Sequence, residues 1–361
     1  MTHPTITEQQ LGDIPWLILR GERLAVFQAL GAHARHGIQA TVEQMPDLVD
    51  LRRRTTAPTV AQTLAAVSVA SQHHYPRVWA ELTALAEGAQ VPFDDLLLLN
   101  LRGDLGTDDG TGCTDLAYST PTRAVIAHNE DGIAWLDGRC TLLTLDINGD
   151  PPITTWWLPG FIPANTFVLT GNGLAWGIDH LTVPHPAHAP GRHFVARALQ
   201  REPTPAHVAE RLTTTPSAGG FAYTIGRLGH PDVTVIEAAA GHAWTTRVKP
   251  PQPFHWHTNH ALHLPTGITS SYPNSEDRAR FLKHLTIPDH PQTPWFLNIL
   301  TGAPLPDGVR RDGADDTSVT LLTIAVDLLD QQATLIRRNG KRLSLPTPDL
   351  ITGIADRVRT E

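Results

Sequence analysis

The change of texture at Cys113 constrains this chain more than any other feature. Before it, apolar residues recur at helical spacing: Leu24, Phe27 and Leu30 within 21–43, Val60, Leu64 and Val67 within 59–74, and Trp79, Leu82 and Leu85 after Pro76. Gly88 is placed to end the last of these helices, and Asp94 to cap a short one through Leu99. A run rich in glycine and aspartate, Gly103 to Gly112, then reads as an exposed loop. From Cys113 onward short strands dominate, at 114–118, 124–128, 141–147, 154–158, 166–170, 174–178, 222–225, 233–238, 242–248, 319–328 and 333–337. Helices interrupt them near 192–201, 205–213 and 275–285. Asn172-Gly173 between two strands is a hairpin signal, because the pair tolerates the positive φ of a tight turn. Clustered helices and antiparallel hairpins predict an α+β fold, sheets covered by helices.

Composition narrows the function. Of 361 residues, 41% are hydrophobic and 18% charged, which suits a globular core. The net charge is −8, and no basic run exceeds Arg52, Arg53 and Arg54, which argues against a nucleic-acid groove or a membrane-surface patch. No stretch approaches the ~18–20 apolar residues of a membrane span, and the first residues lack the basic start and apolar core of a signal peptide. The expected location is cytoplasmic. With two cysteines, Cys113 and Cys140, neither a disulfide framework nor a CxxC zinc ribbon is available. No internal repeat or compositional linker divides the chain, so one domain over 1–361 is expected.

Cys113 follows Gly112, whose lack of a side chain leaves the preceding carbonyl open, and it stands between a loop and the first strand. A thiol in that place can attack its own preceding peptide carbonyl, giving a thioester that water resolves. Cys113 then becomes a new N-terminus. Its α-amine, with an ordinary pKa of ~7.7–8.0, is a built-in base beside the thiol.

Several runs, in this order, carry a resemblance: Leu99-Asn100-Leu101-Arg102-Gly103-Asp104, Gly112-Cys113-Thr114, His128-Asn129-Glu130-Asp131, Asn172-Gly173-Leu174-Ala175, Val235-Ile236-Glu237, His257-Thr258-Asn259-His260 and Ser275-Glu276-Asp277-Arg278. The chain resembles the autoproteolytic acyltransferases and hydrolases related to acyl-CoA:6-aminopenicillanic acid acyltransferase, among the N-terminal-nucleophile hydrolases. The resemblance implies a four-layer αββα sandwich. It implies a precursor cleaved at Gly112-Cys113 into a small helical chain, 1–112, and a β-rich chain, 113–361, that stay associated.

It further implies that Cys113 is the nucleophile, that Asp131 orients thiol and amine, and that Asn259 is an amide donor of the oxyanion hole. Arg278, His260, Asp104 and Asp179 are implied as site-supporting or substrate-facing. The implied substrate is a small N-acyl amide or acyl thioester, with neither cofactor nor metal. A processing-defective relative that only binds an acyl ligand is the alternative.

Three positions depart from the family pattern. Asp104 stands where glutamate is usual, Glu130 where an aromatic residue is usual, and Asp179 where asparagine is usual. An ionised Asp179 in the site would repel an oxyanion. Among competing sites, His255, His257 and His260 have the look of a metal cluster, but on a strand 255 and 257 share one face while 260 points to the other. The loop from Asp104 fails as a calcium loop, and no HExxH, GxSxG or GxxxxGK motif is present.

Overall fold

Strand pairing begins earlier in the chain than the helical periodicity suggested. The computed structural model describes residues 3–106, 112–164, 166–314 and 318–360, so half of the run expected to be an exposed loop, 107–111, lies outside the described residues, while Gly103, Asp104 and Leu105 are buried rather than exposed. In chain order the strands are β1 (Thr5–Leu11), β2 (Ile14–Gly21), β3 (Gly112–Thr120), β4 (Arg123–Ile133), β5 (Thr141–Ile147), β6 (Ile153–Trp157), β7 (Val168–Thr170) and β8 (Leu174–Leu181). They continue as β9 (Gly220–Arg227), β10 (Val233–Ala239), β11 (His242–Val248), β12 (Phe254–His257), β13 (Ser318–Asp327), β14 (Gln332–Arg337), β15 (Arg342–Pro346) and β16 (Arg359–Thr360). The helices are α1 (Arg23–His33), α2 (Arg35–Gln44), α3 (Pro46–Arg54), α4 (Pro58–His74), α5 (Pro76–Ala89), α6 (Phe93–Leu101), α7 (Arg192–Leu199), α8 (Pro205–Thr214), α9 (Pro273–Lys283), α10 (Thr293–Thr301) and α11 (Thr347–Thr352).

Two sheets form, in the orders β1-β2-β5-β6-β7-β8-β9-β10-β11 and β12-β3-β4-β13-β14-β15-β16. Strands β3 and β4 of the second sheet pack across β8 and β9 of the first. Helices α1 and α8 pack on the first sheet, α9 and α10 on the second. The result is an α+β sandwich of two sheets between helical layers, as the resemblance implied.

The N-terminal segment is not wholly helical. β1 and β2 extend the first sheet, and β2 runs parallel to β5, a pairing the antiparallel reading lacked. The apolar side chains Trp16 to Leu19 of β2 are buried consecutively, so neither helical nor alternating periodicity showed in them. The helix expected over 21–43 breaks into α1 and α2 at Ala34. Gly88 does not end α5, which runs to Ala89 and stops at Gln90 in the left-handed region (φ 56°). Gly88 lies instead where α5 crosses α1, close against the Gln28 backbone. Asp94 falls within the first turn of α6, whose cap is Pro92.

Because β3 and β4 lie between the first sheet and α10, both of their faces are buried. Alternation then sorts their residues. Leu116, Tyr118, Val125 and Ala127 pack with Leu282, Phe296 and Leu300 beneath α9 and α10, whereas Ala117, Ala124 and Ile126 join the main core between the sheets.

A candidate active site at the start of β3

Gly112 and Cys113 open β3, paired in register with Asp131 and Glu130 of β4. Directly opposed residues of an antiparallel pair send their side chains to one face. Cys113 and Glu130 therefore share the inner face with Asp115 and His128, while Asp131 goes with Gly112 and Thr114.

The Cys113 backbone is held from α9 and from the loop after β12. Its N–H donates to Asn259 Oδ1 at 2.9 Å. Arg278 donates to the Cys113 carbonyl, to Thr114 Oγ1 at 3.0 Å and to Asn259 Oδ1 at 2.7 Å. Arg278 is fully buried although it lies on a helix, because α9 packs beside β12 and turns this residue inward. A Cβ added at Gly112 would meet the Arg311 guanidinium, so a larger residue before the cysteine would have to displace that side chain.

Asn259 lies beside Cys113, where its oxygen faces the nitrogen of Cys113 and its Nδ2 donates to the His180 carbonyl at 3.1 Å. The amide is an acceptor toward the cysteine. Asp131 accepts from Thr320 Oγ1 at 2.7 Å, and burial raises its carboxyl despite the Arg311 and Arg278 charges. Asp179 is tied to a histidine, its Oδ2 pairing with His257 Nδ1 at 3.0 Å, while its charge still acts on the Cys113 thiol. His260 bonds Ser275 Oγ at 2.8 Å, at the border of the site. Asp104 lies apart, its Oδ1 receiving the backbone N–H groups of Arg192 at the start of α7 (3.0 Å) and of Gly219 (2.7 Å). That placement makes the aspartate an anchor for the helix start.

The spacing of residues alone did not reveal two buried ion-pair chains beside the thiol. His128 sits between Asp115 (Nδ1, 2.8 Å) and Glu130 (Nε2, 3.1 Å). His257 sits between Asp179 (3.0 Å) and Glu237 (3.3 Å). Against burial, which lowers them, these bonds raise each imidazole to about 10. Burial raises Asp179 to about 6 and Glu130 to about 7. Glu237, although burial pushes it up, is held at about 2 by His257 and by the backbone N–H groups of Leu262 and His263. One signal was legible: Cys113 and Asp115, like His128 and Glu130, are two apart on adjacent strands, the spacing that puts side chains on one face. Arg311 carried no signal, since only folding brings it here.

Burial and the charges of Glu130, Asp179, Asp131 and Asp115 push the Cys113 thiol well up. Cys113 therefore rests as a thiol, not a thiolate, until a base takes its proton.

Metal ligation meets a specific obstacle. One ligand atom each from Cys113, His128 and Glu130 lie within 4.8 Å of one another, and so do those from Asp115, His128 and Asp179. Both ring nitrogens of His128 are bonded to carboxylates, which leaves no lone pair for an ion. The three spaced histidines do not converge. His257 is taken by carboxylates and His260 by Ser275, while His255 lies 6.4 Å from the His263 ring, which stacks on Trp244.

Residues 119–342, spanning Asp131, Asp179, Asn259 and Arg278, match the profile of the family described as acyl-coenzyme A:6-aminopenicillanic acid acyl-transferase. The chain belongs to this family. It is also similar to the acyl-coenzyme A:6-aminopenicillanic-acid-acyltransferase 40 kDa form of Emericella nidulans, 23% identical over 195 residues. That match covers 53% of this chain and 54% of the relative, so the chain spans about half the relative's length. Among solved structures, a penicillin V acylase from Agrobacterium tumefaciens aligns with a TM-score of 0.40 and 10% identity, over 66% of this chain and 87% of that one. A mutant form of the conjugated bile acid hydrolase from Clostridium perfringens aligns with a TM-score of 0.39 and 11% identity, over 69% and 96%. No helix among the described residues is long and apolar enough to cross a membrane.

Proposed function

We propose that this family member is a self-processing cysteine enzyme of the cytoplasm that cleaves or forms linear amide bonds of small N-acyl compounds. The observation that carries this reading is the hold on the Gly112-Cys113 junction: Asn259 Oδ1 on the Cys113 N–H and Arg278 on the Cys113 carbonyl. A fixed peptide next to a thiol is what an intramolecular attack requires, because orientation replaces a bimolecular encounter.

In this reading the Cys113 thiol attacks the Gly112 carbonyl and water releases fragments 1–112 and 113–361. These stay together because β1 and β2 are strands of a sheet completed by the larger fragment. After cleavage the nitrogen that donated to Asn259 is an amine. Asn259 keeps it beside the thiol, and it serves as base for acyl transfer. The thiol then takes an acyl group from an N-acyl amide or acyl thioester and passes it to water or to an amine. No cofactor enters these steps.

Intact-mass spectrometry of purified protein tests the reading. The expected result is two masses, the larger beginning at Cys113, with a panel of chromogenic N-acyl amides hydrolysed only by the cleaved form. A chain that stays whole and binds an N-acyl ligand without turnover would instead be a non-catalytic relative.

A further inference from the structure

Before cleavage the site lacks its built-in base. While the Gly112-Cys113 bond is intact, the Cys113 nitrogen is an amide that accepts no proton, and the thiol beside it is held in its protonated form by burial and by four carboxyl groups. The first attack therefore needs a proton acceptor that the uncleaved chain already contains.

The β3–β4 register supplies one. Glu130 is directly opposite Cys113 on the same face, and atoms of Cys113, Glu130 and His128 lie within 4.8 Å of one another. That span is closed by a side-chain rotation or one water. The strand register separates Glu130 from the other carboxyl groups near the thiol: Asp131 lies on the opposite face, bonded to Thr320, and Asp115 and Asp179, which like Glu130 each bond a histidine, do not stand opposite Cys113.

Resting on the self-cleavage reading above, we propose that Glu130 accepts the Cys113 thiol proton when the Gly112-Cys113 bond is broken, with His128 and Asp115 holding its carboxylate in place. The S–H bond breaks and its proton passes to Glu130, while sulfur bonds the Gly112 carbonyl carbon. Glu130 returns the proton to the Cys113 nitrogen as the C–N bond breaks, leaving a Gly112 thioester and a free amine. Water then hydrolyses the thioester, giving the Gly112 carboxylate and the thiol. Burial sets Glu130 at about 7 against the pull of His128 and Arg102, so it is able to take and return a proton near neutral pH.

The experiment follows the full chain made by cell-free synthesis on denaturing gels. Glu130→Gln, folded by circular dichroism, slows self-cleavage about 10²-fold or more, the range of a lost general base. Glu130→Asp recovers part of the rate. Formate, a small carboxylate able to enter the space left by Glu130→Ala, accelerates that variant but not Cys113→Ala. Cleavage of Glu130→Gln within about threefold of wild type overturns the inference. So does a slow Glu130→Gln accompanied by no recovery in Glu130→Asp and no formate effect, which marks a structural role. A wild-type chain that stays whole overturns the self-cleavage reading itself, and the inference falls with it.

Discussion

Asn259 presents its oxygen, not its nitrogen, to Cys113: Oδ1 accepts the cysteine N–H at 2.9 Å across 146 residues of sequence. The same oxygen takes a second bond from Arg278 at 2.7 Å. In the proposed self-cleavage, an amide that accepts from this peptide would hold the resulting amine in the same place, so that one residue would serve both stages.

Asn259→Leu removes that acceptor and leaves Arg278 short of a partner inside the protein. Self-cleavage and turnover should both fall by about 10²–10³, the scale of losing one preorganised polar contact in an active site. Asn259→Asp keeps an acceptor for both donors but sets a carboxylate oxygen against the His180 carbonyl, so it should cleave faster than the leucine variant and melt lower than wild type. Rates from gels and chromogenic amides, beside thermal melts, check both. Equal rates for wild type and Asn259→Leu would remove the residue from the mechanism.

Cys113→Ala should remain one chain of unchanged fold, because the proposed self-cleavage uses its thiol as the nucleophile at the junction. Mass spectrometry of a sample incubated alongside wild type reads the outcome. Cleavage at 112–113 in the alanine variant would sink the assignment.

Cys140 is a contrasting case. It is buried, its thiol donating to the Leu136 carbonyl at 3.5 Å, and burial pushes its pKa up. Cys140→Ser should leave cleavage and turnover within about threefold of wild type, as expected of an inert core thiol. A folded serine variant that had lost both would show that the wrong cysteine had been chosen.

Asp179 raises the thiol and pairs His257, so Asp179→Asn should act in two directions. With one negative charge fewer near Cys113, the thiol should react with iodoacetamide at lower pH. Breaking one side of a buried ion pair should destabilise the fold by about 3–5 kcal/mol. A urea melt identical to wild type would show that the His257 pairing contributes nothing.

The paired histidines also set a pH dependence of stability. Folded, His128 and His257 titrate at about 10, against an ordinary value of 6.5. Between those values the folded chain binds more protons than the unfolded one, so this contribution is complete below 6.5 and is lost as the pH rises toward 10. The urea midpoint should therefore fall from pH 6.5 to 10, and fall less steeply in His128→Gln. A midpoint that rises through this window would contradict the ion-pair assignment.

Local sequence determined the elements whose cause is local. Asn172-Gly173 marked the β7–β8 hairpin because only a tight turn tolerates that pair so well, and the apolar repeats at 59–74 and from Trp79 marked α4 and α5. The candidate junction at Gly112-Cys113 was also legible, since it depends on adjacent residues. β1 and β2 were not legible, because β2 is buried on consecutive residues and its pairing with β5 joins segments more than a hundred residues apart. Which groups face the thiol was decided by tertiary structure alone. The β3–β4 register put Glu130, not Asp131, opposite Cys113. The approach of β8 and β12 tied Asp179 to His257, and the packing of α9 turned Arg278 inward. A side chain's charge and hydrogen bonds depend on which neighbours exclude water from it, and those neighbours are assembled only when the sheets stack.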